Sequence, residues 1–358
     1  MTTPVTTTAL HPTTRFPVPA ETTAPAPAEH RGVARDGVRL LVARTPADVR
    51  HRVFRDLPDE LEPGDLVVVN TSATIAAEAD AASTTRGDVV VHVATHLDEG
   101  TWVVELRSAP DARRAILDAE PGEVIALDGA TVTLVAPYPR PHSSPTGVGN
   151  RLWRAAVAGD LPRVLGRSGR PIAYGYLDRR YPLADYQTVF GIDPGSAEMP
   201  SAARPFTADL VTRLIAKGVV VSPVTLHTGL SSQEAGEAPQ AERYSVPPVT
   251  AEAVNATKAR GGRVVAVGTT ATRALETVVG ADGRVYPSSG WTERVISSDD
   301  PARVVDGLIT GWHDPEASHL MLVESVAGSE LTQAAYDAAS SAGYLWHEFG
   351  DAGLLLRR

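Results

Sequence analysis

Hydrophobic positions along the chain follow two different patterns. Between residues 88 and 158, short alternating segments are separated by Gly, Pro and Asp, which is typical of a small β-barrel or sandwich. After about Arg163, apolar runs of strand length alternate with helix-like segments, which predicts a layered sheet with helices on its faces. Two earlier runs, Val38–Ala43 and Gly64–Asn70, also predict strands. We therefore expect an α/β main domain interrupted by a small all-β barrel-like domain.

The predicted domain boundaries follow these changes of pattern. The α/β main domain is discontinuous and comprises residues 31–78 and 159–358, and the inserted barrel-like domain comprises residues 79–158. Residues 1–30 are predicted to be mostly disordered, because their first part is rich in Thr, Pro and Ala and has few groups that could build a core.

Helix signals cluster in the second half of the chain. Thr207 is predicted to cap a helix that ends at Gly218, and Thr250 is predicted to cap the next helix. Two further helices are predicted at Glu316–Ala327 and Glu330–Ser341.

Composition excludes several classes of protein. With 358 residues, 43% of them hydrophobic, the chain can bury a sizeable core, and with no cysteine it has neither disulfides nor thiolate metal sites. There is no apolar run of membrane-spanning length and no secretory signal pattern, so we expect a cytoplasmic enzyme. The net charge of −10 disfavours general nucleic-acid binding, which needs clustered positive charge.

The most informative local pattern is Arg263–Glu276. A β-branched strand stops at Gly268, and a Thr-rich turn then leads into a helix, whose N-terminal N–H groups can hold an anionic group such as a carboxylate or phosphate. The alternative is a turn that only caps the helix.

Other polar residues stand at predicted strand ends or turns, where α/β enzymes place their chemistry. They are His227, Asp306, His313 and Asp351. Each also has a structural alternative: a hydrogen-bonded core histidine, a turn former or a helix cap. The chain contains no HExxH, GxSxG, P-loop or GxGxxG pattern, so zinc protease, serine hydrolase, NTPase and simple dinucleotide-binding functions lack support.

Eleven segments resemble the motifs of one enzyme family, and they occur in the family's order. They are Arg35–Val42, Phe54–Pro58, Gly64–Asn70, Asp185–Phe190, Val224–Leu230, Glu242–Val246, Ala266–Glu276, Ser289–Thr292, Val304–His313, Leu320–Gly328 and Phe349–Leu356. This succession resembles the S-adenosylmethionine:tRNA ribosyltransferase-isomerase family of the queuosine pathway. The likeness extends over essentially the whole chain after residue 30.

The resemblance implies a fold and a reaction. The fold is an α/β domain interrupted by a small β-barrel, as the apolar pattern also predicts. In the reaction, S-adenosylmethionine donates its ribosyl unit to a 7-aminomethyl-7-deazaguanine base in a tRNA anticodon, and adenine and methionine are released. Such an enzyme needs a base, an acid for adenine, and groups that hold the methionine carboxylate and the ribose hydroxyls.

Site roles follow from combining the resemblance with the residue chemistry. The predicted catalytic residues are His227, His313, Glu242 and Asp306. The predicted donor- or acceptor-binding residues are Gly268, Thr269, Thr270, Arg273, Asp351, Tyr186 and Gln187. Arg273 is either a ligand or a structural partner of Glu276. No metal site is predicted, because no cluster has convincing ligand spacing.

Several positions depart from the family's motifs. Residues that replace arginine, glycine or histidine in those motifs are Ala73, Glu78, Ala203, Pro205, Glu237, Gln240 and Glu316. An exchange of arginine for glutamate reverses a charge and disfavours a phosphate that arginine had held. We therefore expect a divergent paralogue that keeps S-adenosylmethionine as donor and acts on an acceptor other than tRNA.

Three functions stay open at this point. The first is a transferase or isomerase that consumes S-adenosylmethionine and acts on a small molecule. The second is the family reaction on tRNA, which gives epoxyqueuosine-tRNA. The third is a non-catalytic protein that only binds S-adenosylmethionine. The sequence predicts no membrane partner and no particular oligomeric state.

Overall fold

The computed structural model describes residues 11–17, 22–141, 143–144, 147–231, 237, 239–315 and 317–357. Within them the chain forms a nine-stranded mixed sheet flanked by helices and a closed six-stranded barrel. The predicted α/β architecture with a barrel-like insertion is confirmed. Glu316, and the parts of the predicted disordered segment at residues 1–10 and 18–21, lie outside the described residues.

Strands and helices are numbered in chain order. The strands are β1 (Arg39–Thr45), β2 (Asp48–Val53), β3 (Leu66–Asn70), β4 (Ser72–Thr74), β5 (Glu78–Ser83), β6 (Gly87–His96), β7 (Trp102–Ser108), β8 (Val124–Leu127), β9 (Ala130–Pro137), β10 (Leu152–Gly159), β11 (Asp193–Ser196), β12 (Val220–Leu226), β13 (Glu242–Val246), β14 (Val264–Val267), β15 (Ser288–Thr292), β16 (Gly307–Thr310) and β17 (Ala352–Leu356). The α-helices are α1 (Leu57–Glu60), α2 (Leu161–Ser168), α3 (Ala208–Lys217), α4 (Pro248–Ala259), α5 (Gly268–Thr277), α6 (Ser318–Ala327) and α7 (Ser329–Ser341).

The large sheet has the order β15-β13-β12-β3-β14-β16-β17-β1-β2. Its four central strands, β12, β3, β14 and β16, are parallel to one another, and every residue of β3, β14 and β16 is buried. Continuous apolar runs are typical of parallel strands with both faces covered. The carboxyl ends of the four strands meet at one edge of the sheet, which we call the carboxyl edge.

The barrel closes in the order β10-β7-β6-β5-β8-β9. Its interior is filled by apolar side chains, among them Val91, Leu106, Val132 and Trp153, and helix α2 packs against it. Strand β5 begins at Glu78 and β10 ends at Gly159. The predicted domain boundaries themselves stay a prediction.

Of the two predicted helix caps, one is correct and one is wrong. Thr207 caps α3, since its side chain accepts a hydrogen bond from the Leu210 N–H, and Gly218 ends the helix in the left-handed conformation (φ 93°). The prediction that Thr250 caps α4 is wrong. Helix α4 already begins at Pro248, a position where proline is favoured, and Thr250 is buried with its hydroxyl donating to the Pro223 carbonyl (2.5 Å).

The described parts of the N-terminal segment lie against the main domain. The Phe16 ring stacks on Trp346 at a centroid distance of 5.3 Å. The N–H of Thr13 and the hydroxyl of Thr14 both donate to the Glu324 carboxylate in α6. Among the described residues, no helix has both the length and the apolar character needed to cross a membrane.

A buried carboxylate holds the segment before β16 against α5. Glu276 is fully buried, and its two oxygens accept the backbone N–H groups of Arg303 (2.9 Å), Val304 (2.9 Å) and Val305 (3.0 Å). Of the two roles left open for Arg273, the pairing with Glu276 is wrong, because Arg273 forms its ion pair with Glu242 instead.

We expect Glu276→Gln to destabilise the protein by about 2 kcal/mol, because the amide turns an NH₂ group towards backbone donors and loses charge-assisted bonds. The midpoint of urea-induced unfolding measures the change. Asp128→Asn is the matched control, since it also removes one negative charge but at a side chain that is 89% exposed. If both variants unfold at the wild-type midpoint, Glu276 does not anchor this segment.

Candidate active site

Most predicted site residues meet at the carboxyl edge. His227 directly follows β12, Gly268 follows β14 and His313 lies three residues after β16. Because β13 runs antiparallel to β12 and β17 runs antiparallel to β16, Glu242 at the start of β13 and Asp351 just before β17 lie at the same edge. Ligands of open α/β sheets bind at this kind of edge.

Asn70 organises the centre of this edge, although the sequence analysis did not single it out as a site residue. Its fully buried side-chain amide donates to the Leu226 carbonyl (2.9 Å) and to the Thr270 hydroxyl (3.2 Å). Its oxygen accepts the N–H groups of Leu226 and Ser72, both at 3.0 Å. The sequence did contain a signal for Asn70, since it is a polar residue at the end of an apolar strand.

His227 is half-buried and held by a pair of serines. Its Nδ1 lies 2.7 Å from the Ser72 hydroxyl, which in turn lies 2.6 Å from the hydroxyl of Ser196. Gly195 lies so close to the imidazole that any Cβ there would overlap the ring. Burial lowers the pKa of His227, so the ring is neutral near pH 7.

The first turn of α5 faces the same edge. The Thr-rich turn predicted after Gly268 is the first turn of the helix itself, because the helix begins at Gly268. The N–H groups of a first turn have no acceptor within the helix, so those of Thr269 and Thr270 are suited to an anionic or hydroxylated ligand.

Glu242 and Arg273 form a buried ion pair that joins β13 to α5. Arg273 also donates to the carbonyls of Gln240 (2.6 Å), Thr292 (3.1 Å) and Arg294 (3.0 Å), so the structure uses its guanidinium for support. Burial raises the pKa of Glu242, although Arg273 opposes the shift. A carboxylate with a raised pKa is a stronger base.

His313 belongs to a group of neutral imidazoles. Its Nε2 lies 3.0 Å from the Thr310 hydroxyl, and its ring stacks on His319 with centroids 5.0 Å apart. Burial lowers the pKa of His313 well below its usual value, and the neighbouring His319 and His347 add to this effect.

The two predicted aspartates make structural contacts at the ends of strands. Asp351 accepts the N–H groups of Arg39 and Leu345, each at 2.8 Å, and forms an ion pair with the Arg39 side chain. Asp306 precedes β16 and therefore lies at the opposite edge, where it binds Lys258 at 2.6 Å. The structure does not bring Asp306 together with the other candidates.

Tyr186 ends a short helical turn, Leu183–Tyr186, beside the site, and Gln187 follows it in an extended conformation. Both ends of the Gln187 amide bond the backbone of Thr74 in β4, its oxygen at 3.2 Å and its nitrogen at 2.8 Å. Its side chain therefore holds β4 in place. The Tyr186 ring is buried and packs edge-on against Phe349, and its hydroxyl has no hydrogen-bond partner among the described residues.

A group of tyrosines and glutamates lies close to His227, and the sequence analysis singled out only Tyr186 among its members. We call it the tyrosine–glutamate cluster; its members are Tyr174, Tyr176, Tyr186, Glu198 and Glu348. Tyr174 donates to Glu198, and Tyr176 donates to Glu348 at 3.3 Å. Glu198 adjoins the site because its backbone exchanges hydrogen bonds with the Thr228 hydroxyl.

Two acidic residues at positions expected to depart from the family's motifs form ion pairs. Glu78 is fully buried between His92 (3.0 Å), Arg170 (2.6 Å) and Arg180 (2.7 Å). Glu237 pairs with Arg151 at 2.5 Å, which links the loop before β13 to the barrel.

The other described positions that are expected to depart from the family's motifs make no ion pair. Ala203 is buried in the apolar core, and Pro205 lines a pocket together with Gly311 and Asp351. The Gln240 amide nitrogen donates to the Leu230 carbonyl at 2.9 Å. Among the described residues, no group of three or more His, Asp or Glu side chains is arranged to hold a metal ion.

Comparisons with known proteins agree on one family. A family model described as "Queuosine biosynthesis protein" matches residues 13–355. The S-adenosylmethionine:tRNA ribosyltransferase-isomerase of Acidiphilium cryptum is 38% identical, with 96% of this chain and 98% of that protein covered. The protein of the same name from Symbiobacterium thermophilum is 35% identical, with 95% and 98% covered.

A solved structure is similar over the same length. The crystal structure of S-adenosylmethionine tRNA ribosyltransferase from Thermotoga maritima has 28% sequence identity and a TM-score of 0.52. The match covers 95% of this chain and 99% of that one. The similarity therefore includes both the sheet and the barrel.

The stacked histidines generate a prediction about pH. Burial and the nearby Arg273 lower the pKa of His319 to about 4, against a usual value of 6.5. The unfolded chain takes up this proton at higher pH than the folded chain does, so the free energy of unfolding falls as the pH drops from 6.5 towards 4.

An NMR titration of the His319 ring, assigned by its loss in His319→Gln, measures this directly. We expect a midpoint near pH 4 and a weaker pH dependence of stability in the variant. A midpoint near 6.5 contradicts the burial of this ring.

Proposed function

The chain belongs to the S-adenosylmethionine:tRNA ribosyltransferase-isomerase family, and on that premise we propose that it transfers the ribosyl part of S-adenosylmethionine to a small acceptor other than tRNA. Adenine and methionine are the released products. The proposed donor is the one named for the relatives of this chain, whereas the proposed acceptor differs from the tRNA in their names.

The donor side of the proposal rests on the centre of the carboxyl edge. The first turn of α5 offers N–H groups and the hydroxyls of Thr269 and Thr270 to a carboxylate or to ribose hydroxyls. Asn70 fixes this turn relative to β3 and β12. Donors held in place before the ligand arrives need little reorganisation on binding.

His227 is the proposed acid–base residue. Hydrogen bonding at Nδ1 orients the ring, and the ring is neutral near pH 7, so it can take or give a proton at that pH. Removal of a proton from the carbon beside the sulfonium starts the expulsion of adenine, which leaves with a proton from an acid. The acceptor then captures the sugar carbon, and methionine departs as a neutral thioether.

The observation that supports an acceptor other than tRNA is that arginines beside the site form ion pairs with glutamates. Arg170 and Arg180 are held by Glu78, and Arg151 by Glu237. A tRNA backbone is bound chiefly by unpaired lysine and arginine side chains, and carboxylates among them oppose such binding. A small acceptor without phosphates avoids this conflict.

The relatives favour a second candidate, the family reaction on tRNA. Proteins named for a tRNA substrate are 35–38% identical to this chain over nearly its whole length. Conversion of a 7-aminomethyl-7-deazaguanine base to epoxyqueuosine is the corresponding activity. A non-catalytic protein that binds S-adenosylmethionine is the third candidate.

Mass spectrometry of adenine and methionine decides among these functions. The purified protein is incubated with S-adenosylmethionine alone, with precursor tRNA, and with an extract of small metabolites freed of nucleic acid. We expect release of both products with the small-metabolite extract and no increase with tRNA. Release that depends on tRNA overturns the proposed acceptor and supports the second candidate.

Two variants show whether the release arises at this site. His227→Ala is expected to lower adenine release by a factor of about 100 or more, the usual scale for an acid–base residue. Glu120→Gln changes an exposed side chain of the barrel region and is expected to behave as wild type. If no condition gives release although S-adenosylmethionine binds, the third candidate stands.

A further inference from the structure

The hydrogen bond at Nδ1 of His227 has a direction, and that direction decides which ring nitrogen carries the proton. A neutral imidazole has one N–H donor and one bare nitrogen that accepts, and the hydrogen bonds around the ring select between these two tautomers. The partners of Nδ1 in this protein are two serine hydroxyls in series. Ser72 lies 2.7 Å from Nδ1, and the hydroxyl of Ser196 lies 2.6 Å from that of Ser72.

The Ser196 hydroxyl has a fixed donor on one side. Its oxygen accepts the N–H of Thr228 at 3.1 Å, and a backbone N–H cannot act as an acceptor. In the described part of the chain, the only other partner of this hydroxyl is Ser72. Ser196 is completely buried, so its hydrogen needs an acceptor within the protein, and that acceptor is the Ser72 oxygen.

The direction of the Ser72 hydroxyl follows from that of Ser196. Ser72 is 1% exposed, and within the described residues its hydroxyl contacts Ser196 and Nδ1 of His227 alone. Since its oxygen accepts from Ser196, its own hydrogen points to Nδ1. The reverse chain, from an Nδ1–H through Ser72 to Ser196, leaves the buried Ser196 hydrogen without an acceptor, which is costly.

The strands that carry the two serines hold this chain of hydrogen bonds in place. Ser72 in β4 and Ser196 in β11 belong to a two-stranded parallel sheet. The Ser72 N–H donates to the Asn70 side chain at 3.0 Å, and the Ser196 carbonyl accepts the N–H of Ile75 at 2.9 Å. The same contact that organises the carboxyl edge therefore also positions Ser72.

The other ring nitrogen lies outside this network. Nε2 makes no hydrogen bond to the described residues, and it is not among the partnerless side-chain nitrogens that are closed off from solvent. Gly195 packs against the Nδ1 side of the ring, where any Cβ would overlap it. A ligand can therefore reach the ring at Nε2 and not at Nδ1.

We propose that Ser72 and Ser196 hold His227 as the Nε2–H tautomer, so that the ring offers a ligand a hydrogen-bond donor and not a base. The two serines are positioning residues, since they act through His227. What the ring does in the reaction rests on the proposed function. The Nε2–H donates a hydrogen bond to the departing adenine and stabilises the negative charge that develops there, while the proton stays on the ring.

Nitrogen-15 NMR of the His227 ring tests the tautomer without any substrate. The signals are assigned by their loss in His227→Gln and recorded near pH 7, where the ring is neutral. The protonated and bare nitrogens of a neutral imidazole resonate far apart. We expect the Nε2–H form to exceed the Nδ1–H form at least about tenfold, because the alternative strands a buried hydroxyl. A majority of Nδ1–H, or the tautomer ratio of the urea-unfolded chain, overturns the proposal.

Serine variants locate the cause of the preference. Ser72→Ala removes the hydrogen bond to the bare Nδ1, so we expect the Nδ1 signal to move to higher frequency. Ser72→Thr keeps a hydroxyl and is expected to keep the wild-type signal. Ser222→Ala is the matched control, since it removes a buried serine hydroxyl of β12 outside this chain of hydrogen bonds. An Nδ1 signal that is the same in Ser72→Ala and in the wild type rejects Ser72 as its partner.

Two replacements of His227 connect the tautomer to the reaction. A glutamine amide donates hydrogen bonds but cannot act as a base near pH 7, whereas alanine does neither. We expect His227→Gln to release adenine at least about tenfold faster than His227→Ala, because a hydrogen-bond donor is kept. Equal rates in the two variants contradict the donor role of the ring.

The serine chain and the proposed function fail in different experiments. An Nε2–H ring in a protein that releases no adenine under any condition leaves the serine chain standing and rejects the ribosyl transfer. Adenine release by a protein with an Nδ1–H ring does the reverse.

Discussion

The four hydrogen bonds of the Asn70 side chain fix the geometry of the carboxyl edge. This fully buried amide binds both backbone groups of Leu226 at the end of β12 and the hydroxyl of Thr270 in the first turn of α5. Parallel strands have no short turn that sets their relative position, so a polar contact between their ends determines where the following residues lie. The positions of His227 and of the α5 N-terminus both depend on it.

Charge is distributed unevenly around this frame. The acidic residues at replaced motif positions, Glu78 and Glu237, are neutralised by arginines, whereas Glu198 and Glu348 are surrounded by aromatic rings. The first arrangement ties the barrel to the main domain.

Sequence patterns predicted the parts of the molecule that depend on interactions between residues close together in the chain. Continuous apolar runs gave the parallel strands, alternation gave the barrel, and Thr207 gave a cap. Thr250 failed because Pro248 starts its helix earlier, a preference that competes with capping. The partner of Arg273 is 31 residues away in Glu242, and Glu198 meets the tyrosines only through the fold. Contacts of that kind leave no periodic signal in one sequence.

Amide hydrogen exchange with and without S-adenosylmethionine tests most directly that the carboxyl edge is the donor site. We expect slower exchange in the peptides that cover residues 224–230, 264–277 and 307–315, because a ligand there protects the ends of β12, β14 and β16. Exchange in the barrel strands β6 to β9 is expected to stay unchanged. Protection confined to the barrel, or no protection at the carboxyl edge at saturating ligand, contradicts this placement of the donor.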